Sequence, residues 1–431
     1  MNKFLNSIAL ILFSSFLLMH GELSIAYEDY NCSVVFKEEK YTGEDFTLCP
    51  DQLEEKEFYG GEDFVDNDIS SFYLAPGYIL EACKEYQKGG TCRTYYKSVD
   101  SISREFNDTF SYIRLIRFDE SDFHMAFFSD TQYPWTCDDN TRTGCDNATQ
   151  AKRDMKRRVN NLNDLQKYYG KKQFAGAILN GDLTAFGHDW QLRAHKRYFS
   201  QLDMNLYPGL GNHDIGRNIN DCFLNGCASR MTYYLINQVN SLNVRDFDYN
   251  ESSIYFDSVI PTVKHSGSFG YSWDIGNIHF IQLNNFPTYT AHWTSWNPGK
   301  LRRDDFDIQS AKDWLERDMS SASVEGKSII LNFHNPEKFA DIEDILKKYK
   351  VSAIFSGHFH SNIDFHGSFH TRSDFYGLKK HLPVFLSGSA HYKNFITVNF
   401  KEDYFYVSEI KENAKSGYQL IKKSRYPLYK N

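Results

Sequence analysis

Carboxylate, amide and imidazole side chains end five apolar runs in the second two-thirds of this chain. Each run is typical of a buried strand that stops and passes a polar residue to a loop. In an α/β sheet such loops gather at one edge, where ligand sites form. Three carboxylates, two amides and four imidazoles are too many polar groups for a core, but they suit two metal ions. The segments are Phe-Phe-Ser-Asp-Thr-Gln (127–132), Ile-Leu-Asn-Gly-Asp (178–182), Gly-Asn-His-Asp (211–214), Asn-Phe-His-Asn (332–335) and Gly-His-Phe-His (357–360).

The elements that would position these segments alternate between strands and helices. This alternation predicts an α/β fold for residues 119–431. A long insertion at residues 216–267 separates two of the segments; loops of this size usually shape specificity, although the sequence names no substrate. Charged, periodic stretches predict helices at residues 151–169, 188–202, 309–319 and 342–349.

Composition limits the class of protein. The chain has 431 residues, of which 41% are hydrophobic and 24% charged, so it is globular and long enough for two domains. The net charge of −8 is spread along the chain without a basic block. A nucleic-acid polymer is therefore not an expected partner, because its phosphates require clustered Lys and Arg.

Residues 1–26 have the pattern of a cleaved signal peptide. Lys3 precedes an apolar run that is followed by Ser24-Ile25-Ala26, a small-x-small cleavage pattern. The run is shorter than the ~20 residues of a membrane span, although an uncleaved anchor is the alternative. The chain is therefore expected to be secreted or periplasmic, and no transmembrane segment is expected.

Eight cysteines fit export to an oxidising compartment, where an even number suggests disulfides. Short-range pairing is the simplest arrangement, but the sequence cannot choose the connectivity. The neighbouring couples are Cys32 and Cys49, Cys83 and Cys92, Cys137 and Cys145, and Cys222 and Cys227.

Residues 27–118 alternate polar and apolar residues between Gly-rich turns, which predicts short antiparallel strands. They contain Phe36-x4-Tyr41-x-Gly43 and two copies of Asn-Asp-x-x-Ser. This internal repeat resembles the all-β double Greek key of the βγ-crystallins. In microbial members such loops bind calcium, although the same residues stabilise turns without an ion. The implied calcium ligands are Asn67, Asp68, Ser71, Asn107, Asp108 and Ser111.

The five polar segments, taken in order, resemble the calcineurin-like metallophosphoesterases. That family's motifs run Asp-x-His, Gly-Asp, Gly-Asn-His-Asp/Glu, His and Gly-His-x-His. Residues 271–280 resemble its central strand pair, and residues 386–390 resemble its late strand and turn. The resemblance implies a four-layer α/β/β/α sandwich with the site at the strand ends.

Two divalent transition metal ions (Zn, Mn or Fe) are implied by the same resemblance. Gln132 replaces the commonest His, and its amide is a weaker ligand, so the first metal is expected to be loose, exchangeable or manganese-like. Ala185 stands where purple acid phosphatases place a Tyr, which predicts no iron–tyrosinate colour. The implied ligands are Asp130, Gln132 and His360 for the first metal, Asp182 as a bridge, and Asn212, His334 and His358 for the second.

The expected reaction is attack of a metal-bound hydroxide on a phosphomonoester or phosphodiester, with diesters slightly favoured. His213 would act as general acid towards the leaving oxygen, and Asp214 would orient it. The alternative is a metal-poor or inactive protein of the same fold that serves binding or adhesion, with a calcium-stabilised β domain. The oligomeric state is not predicted.

Other histidines and aromatic residues have simpler interpretations. His188 is expected to start a helix or to form a hydrogen bond rather than touch substrate, and His279 is expected to be a hydrogen-bonded core residue. Two further groups of residues could contact a substrate or could be ordinary packing residues. The first could line the rim of the pocket, and the second could stack on a headgroup or base. They are His366, His370, His381 and His391, and the loop group Tyr289, His292, Trp293 and Trp296.

Overall fold

The computed structural model describes residues 32–50, 55–75, 77–136, 147–242, 244–338, 342–360, 382–390, 392–413 and 417–430. Within these ranges, none of the helices is long and apolar enough to span a bilayer. Several predictions lie outside the described residues. They concern the signal peptide, the Cys137–Cys145 couple and His366, His370, His381 and His391.

Two antiparallel sheets form the N-terminal β region, and their strands enclose a core of their own. The first sheet has the order β2-β1-β4 and the second has the order β3-β7-β5-β6. The strands are β1 (Ser33–Glu38), β2 (Thr42–Leu48), β3 (Lys56–Tyr59), β4 (Ser71–Tyr73), β5 (Tyr78–Glu85), β6 (Gly89–Tyr95) and β7 (Tyr112–Arg117).

The two halves of this region exchange strands. β3 follows β2 in the chain, yet it pairs with β7 of the second sheet. Val99, between β6 and β7, bridges Phe72 of β4 in the first sheet. Each half therefore contributes its third segment to the other half's sheet, which agrees with the predicted double Greek key. Gly43, the second residue of β2, has φ +82°, and a Cβ atom there would lie 2.7 Å from the Glu38 Cγ atom.

Two six-stranded sheets form the centre of the molecule. The first has the order β10-β9-β8-β22-β23-β24, and the second has the order β11-β15-β16-β19-β20-β21. β15 and β16 form an antiparallel pair, as predicted for residues 271–280. The strands of the first sheet are β8 (Phe123–Phe128), β9 (Phe174–Asn180), β10 (Leu206–Gly209), β22 (Asn394–Phe400), β23 (Tyr404–Asn413) and β24 (Gly417–Pro427). Those of the second are β11 (Asp246–Phe247), β15 (Tyr271–Ile275), β16 (Ile278–Gln282), β19 (Ser328–Phe333), β20 (Ala353–Ser356) and β21 (Val384–Leu386).

Alternating side chains place these sheets between two helical layers. In β19, Ile329 and Leu331 pack in the cluster that includes Trp314 of a covering helix, whereas Ile330 belongs to the cluster between the sheets. Phe127 of β8 stacks on Phe355 of β20 with ring centroids 4.0 Å apart. The predicted α/β/β/α sandwich is therefore confirmed. The helices are α1 (Ala148–Tyr169), α2 (Asp189–Phe199), α3 (Gly226–Asn240), α4 (Lys312–Val324) and α5 (Glu343–Lys348).

Residues 119–431 contain a third sheet beside the two six-stranded ones, and it was not predicted. It has the order β12-β14-β18-β17, with β13 also paired to β14. The group around Trp293 therefore lies mainly on strand β17 and not on a loop, which corrects the prediction. Trp293 is buried while its neighbours His292 and Thr294 are exposed, and this alternation is the strand signal. The strands are β12 (Asn250–Glu251), β13 (Tyr255–Asp257), β14 (Ile260–Gly267), β17 (Ala291–Asn297) and β18 (Arg302–Ile308).

Three disulfides join neighbouring cysteines, which confirms short-range pairing for these couples. They are Cys32–Cys49, Cys83–Cys92 and Cys222–Cys227.

Candidate metal centre

Five strand ends deliver the polar segments to the same place. Strands β8, β9, β10, β19 and β20 each end within three residues of a predicted ligand. β8–β9 and β9–β10 are parallel pairs in one sheet, and β19–β20 is a parallel pair in the other, so their carboxyl ends share an edge. The residues that follow them are Asp130, Asp182, Asn212, His334 and His358, respectively.

Left-handed backbone conformations turn the chain sharply at this edge. Five of the seven predicted ligands have positive φ, although such values are uncommon for residues other than glycine. Concentrated strain of this kind is typical of functional sites, where the surrounding structure stabilises it. The φ values are 51° for Asp130, 32° for Gln132, 54° for Asp182, 72° for His358 and 46° for His360.

The second predicted metal group has its donor atoms at ligand spacing. His334 Nε2 lies 3.1 Å from Asn212 Oδ1 and 3.2 Å from Asp182 Oδ2. His358 Nδ1 lies 3.1 Å from the same Asn212 oxygen. Metal–ligand bonds of about 2.1 Å would separate adjacent donors by about 3.0 Å in an octahedron and about 3.4 Å in a tetrahedron. The observed spacings fall between these values.

Hydrogen bonding fixes which nitrogen His334 presents. Its Nδ1 atom lies 2.8 Å from the Asn180 carbonyl, so Nδ1–H is the donor and Nε2 faces the two oxygen atoms. Burial lowers the pKa of His334, but the Asp182 carboxylate more than compensates and raises it to about 9. A site that favours a proton so strongly at Nε2 also favours a cation there.

The first predicted metal group contains a carboxylate oxygen, Asp130 Oδ1, that is available to a cation. Donor atoms of Asp130, Asp182 and His360 all lie within 4.8 Å of one another, and His360 Nε2 is 3.2 Å from Asp130 Oδ1. This buried Oδ1 atom accepts no hydrogen bond of good geometry among the described residues, although the His360 nitrogen faces it. The other oxygen, Oδ2, accepts from the Ser129 hydroxyl and from the His358 N–H at 3.1 Å. An orphaned buried carboxylate oxygen is costly unless a cation pairs with it.

Asp182 belongs to both groups. Its Oδ1 atom accepts the His213 N–H at 2.9 Å, and its Oδ2 atom lies 3.2 Å from His334 Nε2 of the second group. Burial would raise the pKa of Asp182, but the charges of His334 and His213 lower it well below its ordinary value. This position suits a carboxylate that two cations share.

Gln132, a predicted ligand of the first metal, contacts the Asp182 carboxylate. Its amide nitrogen donates a hydrogen bond of 2.9 Å to Asp182 Oδ2, and its side chain is buried. Apart from Gln132, the first group has three protein donors, whereas the second has four. The role of Gln132 as a ligand stays a prediction.

Asp214, which is predicted to orient His213, accepts several backbone hydrogen bonds. Its carboxylate accepts the N–H groups of Gly211, Leu183 and Thr184 at 3.0–3.1 Å, and so it joins two of the site loops. Burial raises its pKa to about 7, and the nearby Asp182 charge adds to this effect. The Ala185 carbonyl, 2.9 Å from Nδ1, orients the His213 ring, and a contribution of Asp214 stays a prediction.

Two histidines have the structural roles expected of them. His188 is the residue immediately before α2, and its N–H lies 3.2 Å from Gln191 Oε1. His279 is fully buried between Asp274 (2.7 Å) and Asp318 (2.8 Å). Neither is part of the metal groups.

The two Asn-Asp-x-x-Ser loops of the β region face each other. Ser111 Oγ lies 3.4 Å from Asn67 Oδ1, and Ser70 Oγ lies 3.0 Å from Asp108 Oδ1. The other predicted calcium ligands have contacts of their own. Asn107 donates to Asp108 (2.7 Å), Ser71 donates to the Glu38 carbonyl (2.6 Å), and Asp68 lies 3.4 Å from Lys37.

Sequence reasoning missed the groups that hold the ligands in place. The carbonyls of Asn180 and Ala185 orient two histidines, and backbone groups leave no side-chain signal. Ser129, which donates to Asp130 and also contacts the Gly388 carbonyl at 2.9 Å, could have been noticed as a polar residue ending an apolar run.

Comparison with known proteins identifies the larger part of the chain. A family model described as calcineurin-like phosphoesterase matches residues 121–362, a range that contains every predicted metal ligand. No curated protein matches this chain.

Solved structures similar to part of the chain are βγ-crystallin-type domains. One from Flavobacterium johnsoniae is 22% identical, with 20% of this chain and 93% of that chain covered and a TM-score of 0.18. One from Clostridium beijerinckii is 14% identical, with 20% and 95% covered and a TM-score of 0.18. The N-terminal domain of Protein S is 20% identical, with 20% and 96% covered and a TM-score of 0.18.

Proposed function

This chain belongs to the calcineurin-like phosphoesterase family, and we propose that it is an exported hydrolase that uses two divalent metal ions to cleave a phosphodiester or phosphomonoester. The observation that carries the proposal is that oxygen and nitrogen donors from five strand ends meet at distances typical of metal ligands. Among the described residues, the buried Asp130 Oδ1 atom accepts no hydrogen bond of good geometry.

The ligand sets follow from the two groups. Such cations, when bound, act as Lewis acids that make water more acidic and offset negative charge on a phosphoryl group. The oxygen-rich first group, with only three protein donors, suits an exchangeable or harder ion such as manganese. The first set is Asp130, Asp182 and His360, and the second is Asp182, Asn212, His334 and His358.

His213 is the proton donor in this proposal. Because Nδ1 is paired with the Ala185 carbonyl, Nε2 is the nitrogen that would protonate the leaving oxygen. Trp135 packs edge-on against the ring at a centroid distance of 5.1 Å, which restricts its rotation. The hydrogen bond from the His213 N–H to Asp182 keeps this proton donor in fixed position relative to the bridging carboxylate.

The remaining parts of the proposal concern location and the β region. Three disulfides fit an exported protein, in agreement with a cleaved signal at residues 1–26. We divide the rest into a β domain at residues 27–118 and a phosphoesterase domain at residues 119–431, because β7 ends at Arg117 and β8 begins at Phe123. Calcium binding by the facing Asn67 and Asp108 loops remains part of the proposal.

A metal titration with two chromogenic substrates tests the function. Protein treated with EDTA should hydrolyse p-nitrophenyl phosphate or bis-p-nitrophenyl phosphate only after manganese or zinc is returned. Asp182→Ala should lose both bound metal and turnover, whereas Asp164→Ala, an exposed carboxylate on α1, should keep both.

Two results would contradict the proposal. Turnover by Asp182→Ala at the level of the unaltered protein would remove the bridging role. Tight binding of two metal ions without hydrolysis of either substrate would favour the alternative of a non-catalytic binding protein.

A further inference from the structure

An apolar hairpin protrudes from the third sheet, at residues 254–260. Five of its seven residues are large and apolar, with exposed fractions from 36% at Ile260 to 86% at Val259. Single exposed apolar residues are ordinary, but a contiguous group of them indicates an interaction surface. The five are Ile254, Tyr255, Phe256, Val259 and Ile260.

Both faces of this hairpin are uncovered. β13 pairs with the start of β14 in the register Tyr255 to Thr262 and Asp257 to Ile260, so Val259 lies in the tight turn at the tip. Successive residues of a strand point to opposite faces, which places Phe256 on one face and Tyr255 on the other. Because both are exposed, a flat partner surface could cover only one side of the tip.

The neighbouring turn extends the apolar surface. β14 runs parallel to β18 with Thr262 opposite Arg303. Two residues before this pair on each strand, Leu301 therefore lies beside Ile260. Leu301 is 71% exposed. Trp296 of β17 is opposite Arg303 in the next pair, which adds a half-exposed aromatic ring to this end of the sheet.

Most charges around the tip are paired, and Lys300 supplies an exposed cation. Asp257 is the only carboxylate within residues 254–260, and it forms an ion pair with Arg303. Arg302 is buried and lies 2.8 Å from Asp304, whereas Lys300 in the adjacent turn is exposed. Exposed aliphatic and aromatic residues beside an exposed lysine are a pattern of peripheral membrane anchors.

We propose that the hairpin 254–260, with Leu301, inserts into the headgroup boundary of a phospholipid bilayer. A fluid interface surrounds a protruding tip on every side, so it covers both apolar faces at once. Trp296 then lies at the level that tryptophan prefers, between the apolar region and water. This inference is independent of the proposed phosphoesterase activity.

Vesicle binding tests the anchor. The whole protein should sediment with phosphatidylcholine vesicles that contain phosphatidylglycerol. The double variant Phe256→Ser with Val259→Ser should bind on the order of 100-fold more weakly, about tenfold for each apolar side chain removed. Lys300→Gln should weaken binding to the mixed vesicles but not to pure phosphatidylcholine, because only the mixed surface is anionic.

A matched control uses a different exposed apolar pair. Phe223→Ser with Leu224→Ser changes a loop after the metal-site segment, where Phe223 is 89% exposed, and should bind vesicles as the unaltered protein does. Equal urea midpoints for both double variants and the unaltered protein would show that folding is intact. Failure of the unaltered protein to bind either vesicle would overturn the proposal. So would a concentration-dependent dimer that only the Phe256 and Val259 changes abolish, since the hairpin would then be a contact between copies.

Discussion

The hydrogen bond from Gln132 to Asp182 is expected to strengthen metal binding from outside the ligand set. Its length is 2.9 Å, its donor is neutral, and its acceptor is a buried carboxylate. The amide holds the Asp182 carboxylate in position for a cation, and removal of such an outer partner usually weakens metal binding by about 10–100-fold. Gln132→Ala should therefore weaken binding of at least one cation by that factor, which is about 1.4–2.7 kcal/mol.

The free energy of unfolding of the metal-free protein distinguishes the two possible roles of Gln132, hydrogen-bond donor and metal ligand. If Gln132 is a donor, its removal leaves a buried oxygen of Asp182 short of a partner, and the free energy of unfolding should fall by about 1–3 kcal/mol. If Gln132 were only a ligand, stability without metal should not change. Calorimetric titration with manganese, together with urea unfolding in EDTA, measures both quantities.

A matched variant controls for the loss of a glutamine. Gln150 on α1 donates a hydrogen bond of 2.8 Å to Asp154, another amide-to-carboxylate pair, and Gln150→Ala should leave metal affinity unchanged. Unaltered affinity in Gln132→Ala would refute the reasoning. Weaker affinity with unaltered metal-free stability would restore the ligand role.

Four further predictions concern other parts of the molecule. His213→Ala should lower turnover by about 10²–10⁴-fold while two metal ions remain bound; elemental analysis beside kinetics checks this, and full turnover would exclude the proton role. Arg158→Met should destabilise the protein by up to about 3–5 kcal/mol in urea, because the buried Glu412 then loses its partner at 3.0 Å and keeps Arg157 at 3.8 Å; a loss below about 1 kcal/mol would contradict this. Burial lowers the pKa of His279, but its two carboxylate partners raise it above 6.5, so its stabilising charge is complete below pH 6.5 and is lost as the pH rises through the raised pKa. His279→Gln should flatten that decline in unfolding free energy, and an unchanged profile would refute it. Millimolar calcium should raise the thermal midpoint, and Asp108→Ala should abolish the rise; equal shifts in both proteins would exclude this loop.

The strand ends could be predicted because they follow local rules. Each apolar run is bounded by a polar residue, and parallel strands bring their carboxyl ends together. Asp130 and His334 are far apart in the chain, yet each follows a strand that the sequence shows as an apolar run. The same reasoning predicted four of the five helices, since their charged, periodic faces are local features.

The details of the site depend on packing that sequence patterns do not record. The direction of the Gln132 amide depends on how near the Asp182 carboxylate lies, and that distance is set by the meeting of β8 and β9. Asp214 follows His213 directly, yet its carboxylate accepts backbone N–H groups of its own loop and of the loop after β9. The sequence does not record these backbone contacts.

The third sheet was missed for a different reason. β12 and β13 have only two and three residues, and β14 pairs in parallel with β18, a segment more than thirty residues later. Such long-range pairing has no local turn signal. In β17 Ser295 is buried and Trp296 is exposed, so the apolar residues do not alternate and the period-two signal in the sequence is weak.

Anomalous diffraction from crystals grown with manganese tests the central claim most directly. Two peaks are expected, one among Asp130, Asp182 and His360 and the other among Asp182, Asn212, His334 and His358. They should lie about 3.5–4 Å apart, with an Asp182 oxygen between them. A single peak, or peaks that do not share Asp182, would contradict the account.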